Sequence, residues 1–187
     1  PIACVLRITG EGEVFYKQTR VGKNGSSFGL IKFATMLKDS PNIGSGEITI
    51  KNDSRVLPLG KFLRKSKINE LPQLWNIFIG DMSIVGPRPL LPDGEHLYSP
   101  ADRTIIRSIR PGVTGIGSLI LRDEEGYYAY RADAHEFYRT ILSPYKAQLE
   151  VWYVERKSFW LDMKIIVLTL LAVLRPKADL DKFFKGL

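Results

Sequence analysis

One cysteine and two histidines are all that the 187-residue chain offers to thiol or soft-metal chemistry. A lone Cys4 excludes an intrachain disulfide and any cysteine-built zinc site, and it suits a reducing compartment. His96 and His135 lie far apart without ligand-like spacing, so they read as ordinary surface or loop residues, and a metal would have to be held by oxygen. Long apolar runs are missing too. The most hydrophobic stretch, residues 158–174, carries Asp162 and Lys164 and is uninterrupted by charge only over residues 165–174. A bilayer span needs roughly 20 apolar residues, so this stretch fits a helix lying in the membrane interface or packed against the domain. Arg175, Lys177, Lys182 and Lys185 follow it and suit anionic head groups, or simply form a basic tail. There is no initiator Met and no signal-peptide pattern. The opening apolar run, residues 1–8, breaks at once into Gly10, Glu11 and Gly12 and reads equally as the cut end of a membrane segment or as a short buried strand.

What is present is a chain of 21.2 kDa with 44% hydrophobic residues, enough for one domain with its own core. A formal charge of +7 directs it toward anionic partners: nucleic acid, anionic lipid or phosphorylated small molecules. None of the helix-turn-helix, ribonucleoprotein or zinc patterns of nucleic-acid binders occurs, so no nucleic-acid partner is expected.

Residues 14–16 and 28–33 are short apolar or aromatic runs flanking Gly22, Asn24 and Gly25, the pattern of two strands joined by a glycine-rich turn. Residues 38–58 read as a long loop with one short strand at Ile48, Thr49 and Ile50. Apolar residues from Leu59 to Trp75 recur at helical spacing, with Pro72 as a break, so two helical pieces should meet near residues 67–72. Gly80, Gly86, Pro87, Pro89 and Pro92 frame a structured loop. Arg103, Arg107 and Arg110 alternate with Ile105, Ile106 and Ile109 in a short amphipathic helix whose basic face could sit over phosphates. Residues 123–161 read as two helices broken near Ser143 and Pro144.

Residues 64–89, RKSKINELPQLWNIFIGDMSIVGPRP, concentrate groups that phosphoryl transfer requires. Arg64, Lys65 and Lys67 bring positive charge beside Glu70. Asn69 reads as a helix N-cap with free backbone N–H groups behind it. Glu70 suits a divalent cation, and Arg88, between two prolines, suits a bidentate phosphate contact. Solvated salt bridges on an ordinary helix are the competing reading.

This segment resembles the signature of the bacterial sugar transferases, the monotopic polyprenol-phosphate phosphoglycosyl transferases. Other matches follow in order along the chain: the aromatic, Gln, Arg, Gly-Asn-Gly pattern of residues 14–25, the strand motif of residues 31–36, the Gly-Asp-Met-Ser and Gly-Pro-Arg-Pro run of residues 80–89, the Arg-Pro-Gly-x-Thr-Gly of residues 110–115, and the closing helix of residues 158–174.

The resemblance implies a single catalytic domain over residues 1–187, lacking part of an N-terminal re-entrant membrane helix. It implies an α/β fold of irregular (α+β) type, with a small antiparallel sheet, several helices and membrane-interfacial amphipathic helices. The implied activity moves a sugar 1-phosphate from a nucleotide sugar, usually a UDP-sugar, to polyprenyl (undecaprenyl) phosphate, with magnesium as cofactor. Membrane lipid is the implied partner, and the cytoplasmic face of the bacterial inner membrane the implied location. Self-association is left open.

Carried over residue by residue, Lys32, Arg64 and Arg88 contact phosphate, Glu70 holds magnesium, and Gln73, Thr114, Arg122 and Glu150 are further substrate contacts. Glu150 stands where the family has Asp. The family's nucleophilic Asp falls on Asn69, an amide with no anionic form. Ala34 and Ser118 depart as well, from an Arg and a Gln. Asp123, Glu124 and Glu125 offer a replacement carboxylate or a solvated helix start. A natural variant, an engineered trap or a catalytically inactive substrate-binding homologue all accommodate Asn69.

Overall fold

The protein is described from a computed structural model of the chain. The structure describes residues 1–43, 53–122, 126, 131, 133–175 and 183–184. The expected strand at residues 48–50, the acidic trio Asp123, Glu124 and Glu125, and Lys177, Lys182 and Lys185 lie outside them.

The first element is a helix, α1 (Ile2–Thr9), and not the short buried strand that the opening run allowed. Its sequence lacks period-two alternation, and only Leu6 turns inward while Val5 and Ile8 are exposed. The expected hairpin follows. β1 (Phe15–Val21) pairs antiparallel with β2 (Ser27–Phe33), in register from Phe15 opposite Phe33 to Val21 opposite Ser27. The connection turns through left-handed backbone at Asn24 and Gly25, φ 56° and 78°, which is where Asn and Gly are tolerated.

Two helical pieces then flank a tight turn, as the spacing predicts. α2 (Pro58–Lys65) starts on a proline, whose missing N–H has no partner to lose there. Its Gly60 rests on the backbone of Thr35 so closely that a Cβ would lie 2.2 Å from the Thr35 carbonyl oxygen. After the 3₁₀ turn Ile68–Glu70 comes α3 (Gln73–Phe78). The fully buried Asn76 of α3 docks it onto the edge of β2. Its Nδ2 donates to the Gly29 carbonyl at 2.9 Å and its Oδ1 accepts from the Ile31 N–H at 3.1 Å. The side-chain amide thus takes the place of a third strand.

A second sheet was not foreseen. β3 (Ser83–Val85) and β4 (Gly112–Thr114) pair in parallel, Ser83 with Gly112 and Val85 with Thr114. A parallel pair needs a crossover, and α4 (Pro100–Arg107), N-capped by Ser99 accepting from the Asp102 N–H at 3.1 Å, supplies it. Each strand is three residues long, too short for periodicity to show.

α5 (Ile116–Ile120) leads on to α6 (Ala134–Phe137), a π-helical turn (Tyr138–Leu142), α7 (Ser143–Arg156) and α8 (Phe159–Leu174). The expected break near Ser143 and Pro144 is instead a change of helical pitch, because Leu142 and Ser143 keep helical backbone where the π-helical turn passes into α7, and the chain leaves the helix only at Lys157. Val85, Ile116, Leu119, Leu149, Tyr153, Ile165 and Leu168 form the main core. The charges that interrupt the α8 run have internal partners. Asp162 accepts from the buried Tyr153 hydroxyl at 2.6 Å, while Lys164 donates to the Phe183 carbonyl and lies over the Phe184 ring. Among the described residues no helix is long and apolar enough to cross a membrane.

Candidate active site: a cationic face around Lys32

Strand alternation puts Tyr16, Gln18 and Arg20 of β1 on the same face as Lys32 of β2, through the Tyr16–Lys32 and Arg20–Phe28 pairs. The loop Pro87–Arg88–Pro89 closes over the end of this hairpin. Arg20 Nη1 donates to the Pro89 carbonyl at 3.1 Å, and the Val21 N–H donates to the Leu90 carbonyl at 3.0 Å. Opposite, the 3₁₀ turn brings Glu70 and Lys67 to β2.

The electrostatics of Lys32 show which charges lie within reach of it. Burial pulls its pKa down to about 7, the positive charges of Arg88, Arg20 and Lys67 push the same way, and the negative charge of Glu70 opposes them. Lys32, Arg88 and Glu70, all expected from the sequence, therefore share one face, together with Arg20 and Lys67. So many cations around one partly buried ammonium leave a field that a diphosphate would neutralise.

The turn that carries Glu70 is strained. Lys67 takes left-handed backbone, φ 59° and ψ 7°, an uncommon state for a residue with a long side chain, and its Nζ lies 3.9 Å from Glu70 Oε1.

Asn69 does not act as an N-cap. It lies in the middle of the Ile68–Glu70 turn, behind Lys67, and the neighbouring donors are consumed locally: the Glu70 N–H by the Lys67 carbonyl at 3.0 Å and the Leu71 N–H by the Ile68 carbonyl at 3.1 Å. The sequence could not show this, because the residues that follow form a 3₁₀ turn and α3 begins only after Pro72. The Asn69 side chain is buried and its Oδ1 has no hydrogen-bond partner.

The remaining expected residues spread around this face. Arg64, at the end of α2, directs Nη1 to Met36 Sδ at 3.4 Å. Gln73 is buried at the start of α3, and Arg122 is exposed just after α5. Thr114 shares a 2.7 Å hydroxyl contact with Thr169 of α8, so it ties the parallel pair to the closing helix. Glu150 of α7 is buried behind the loop, and the Arg88 N–H donates to its Oε1 at 3.3 Å. The basic face expected on α4 is already partly neutralised, because Arg107 forms a bidentate pair with Glu95. His96 and His135 are exposed.

Arg20 and Asn76 were missed. Period-two alternation across the hairpin would have found Arg20; Asn76 gives no sequence signal, since its role depends on docking to β2.

Over residues 1–176 the chain matches the bacterial sugar transferase family. It belongs to that family. Relatives include the uncharacterized sugar transferase EpsL of Bacillus subtilis, 36% identical over 91% of this chain and 74% of that protein. The UDP-glucose:undecaprenyl-phosphate glucose-1-phosphate transferase of Xanthomonas campestris is 34% identical over 94% of this chain, and the exopolysaccharide production protein ExoY of Rhizobium meliloti is 32% identical over 92% of it. The chain spans 75% of ExoY but only 34% of the Xanthomonas enzyme. The sugar transferase family is thus shared by proteins of different total length, and the match over residues 1–176 of this chain includes the residues of the cationic face.

Proposed function

We propose that this sugar transferase moves a sugar 1-phosphate from a UDP-sugar to undecaprenyl phosphate, at the cytoplasmic face of the inner membrane, as the initiating step of a glycan. The observation that carries the reading is the convergence of Lys32, Arg88, Arg20 and Lys67 on one face with, among the described residues, a single opposing carboxylate, Glu70. The glucose-1-phosphate transfer to undecaprenyl phosphate that names the Xanthomonas relative agrees with it.

Lys32 and Arg88 would bind the diphosphate and offset the charge that grows on the departing nucleoside monophosphate. Magnesium fits the donors present. The Glu70 carboxylate and the unpartnered Asn69 Oδ1 are hard oxygen atoms on adjacent residues and would hold the ion. Bound there, it would supply further charge neutralisation.

No second carboxylate is described beside Lys32, and the amide of Asn69 has no anionic form to attack phosphorus. The attacking group on this reading is the undecaprenyl phosphate itself. One of its oxygens bonds to the sugar-linked phosphorus, the bond from that phosphorus to the bridging oxygen breaks, and UMP leaves with that oxygen. Arg88 and Lys32 hold the two phosphates in line.

Exposed apolar side chains support a membrane location for this chemistry. Phe62, Leu71, Leu74, Trp75, Phe78 and Ile79 crowd α2, α3 and the turn between them, with Phe78 80% exposed. A non-catalytic substrate-binding role is favoured by Asn69 alone. The test is incubation of the purified protein with UDP-sugars, magnesium and undecaprenyl phosphate. Lipid-linked sugar diphosphate with equimolar UMP is expected, and loss of both in Arg88→Ala; UDP-sugar binding without product would establish the non-catalytic role instead.

A further inference from the structure

Glu150 is 2% exposed, and its carboxyl group is wedged between three backbones. Gly117 of α5 lies so close that a Cβ there would meet Glu150 Oε1 at 2.4 Å, and one on Gly115 would come within 3.9 Å of Oε2. On the third side is Arg88, whose N–H donates to Oε1 at 3.3 Å. Oε2 has no hydrogen-bond partner.

The loop explains why this contact matters. Pro87 and Pro89 have no N–H, so Arg88 supplies the sole backbone donor of the Pro-Arg-Pro run. The carbonyls on either side are already held, Pro87 by the Gly112 N–H at 2.9 Å and Pro89 by Arg20 at 3.1 Å. The Glu150 carboxylate takes the remaining group and fixes the residue whose guanidinium is exposed toward Lys32.

We propose that Glu150 is a positioning residue: from the core, through the backbone N–H of Arg88, it holds the Arg88 guanidinium on the phosphate face and does not itself touch substrate. The proposal rests on the reading of that face as a diphosphate site. Burying a carboxylate with one oxygen unpaired is unfavourable, and burial pushes the Glu150 pKa up to about 7 despite the Arg88 N–H and the charges of Lys146 and Arg88. Those two cations, from α7 and from the loop, are the charges facing it, with the Tyr153 hydroxyl one turn on along α7. An ionised carboxylate accepts from this N–H more strongly than a neutral amide would, and in that way the charge serves the positioning.

The test is a double-mutant cycle on the intact chain, with UDP as the probe and calorimetry across pH 5.5–8.5 as the readout. Glu150→Gln keeps shape and packing; Arg88→Ala removes the guanidinium. We expect Glu150→Gln to weaken UDP binding about tenfold above neutral pH, yet to add nothing in an Arg88→Ala background. Equal losses in both backgrounds, or wild-type affinity in Glu150→Gln, would overturn the positioning role while leaving the diphosphate site standing. Identical UDP affinity in wild type and Arg88→Ala would overturn both. Matching melting temperatures of Glu150→Gln and wild type, or a higher one for the variant, separate lost positioning from lost folding.

Discussion

Burial acts on Lys32 and Glu150 with opposite sign and brings both to the same pH. The folded chain keeps a proton on Glu150 up to about 7, whereas the unfolded chain releases it near 4.5. The unfolded state binds fewer protons in that window, so this group makes stability fall as pH rises from 4.5 to 7, by roughly 3 kcal/mol for the full shift. Lys32 releases its proton at about 7 when folded and near 10.5 when unfolded. There the unfolded state binds more protons, and stability recovers as pH rises from 7 to 10.5. The two slopes meet near neutrality. We expect the melting temperature of the ligand-free protein, followed across pH 5–10, to dip near pH 7, and the dip to vanish in the Lys32→Met, Glu150→Gln double variant. Parallel curves for the two proteins would refute the assignment. Lys32, Glu70 and Arg88 could be placed in the candidate site from the sequence because each sits in a short contiguous motif of the family resemblance. The buried, unpartnered Asn69 Oδ1 and the link from Glu150 to the Arg88 backbone were not legible there, since both depend on how distant segments pack.

At the scale of elements, the hairpin and the α2–α3 pair could be read from the sequence. Period-two runs around Gly22–Asn24–Gly25 and a helical pattern broken at Pro72 are strong local signals. The β3–β4 pair could not, because three-residue strands joined across α4 are specified by close backbone approach: a Cβ on Gly112 would lie 2.1 Å from the Gly86 nitrogen. Helical spacing also told little about which face is buried. Leu71, Leu74 and Trp75 fit a core-facing stripe, yet each is more than half exposed. Under the proposed reaction, whose acceptor is a polyprenyl phosphate, an apolar patch of this kind suits a lipid surface. Burying a large side chain contributes about 1.5–3 kcal/mol, so Trp75→Glu and Phe78→Glu should each weaken sedimentation with undecaprenyl-phosphate vesicles by roughly tenfold or more. Their melting temperatures should match wild type, since neither side chain is part of the core. Unchanged vesicle binding in the double variant would place the lipid contact elsewhere.

Across the whole molecule, two small sheets converge on one loop. The hairpin holds Pro89 and Leu90, the parallel pair holds Gly86 and Pro87, and α7 holds Arg88 from behind. α8 closes the arrangement through Thr169 on Thr114 and Asp162 on Tyr153. On the proposed reading the arrangement presents cations to a diphosphate and, among the described residues, leaves one carboxylate, Glu70, beside Lys32. With Asn69 in place of an ionisable residue, transfer should proceed by direct attack of the lipid phosphate, without a sugar-phosphate bond to the protein. The decisive measurement is intact-protein mass spectrometry after incubation with UDP-sugar and magnesium in the absence of lipid acceptor. We expect wild type to carry no phosphosugar adduct while still forming product once undecaprenyl phosphate is added, and Asn69→Asp to gain the adduct. A phosphosugar adduct on the wild-type chain, or product from Asn69→Asp alone, would contradict direct transfer.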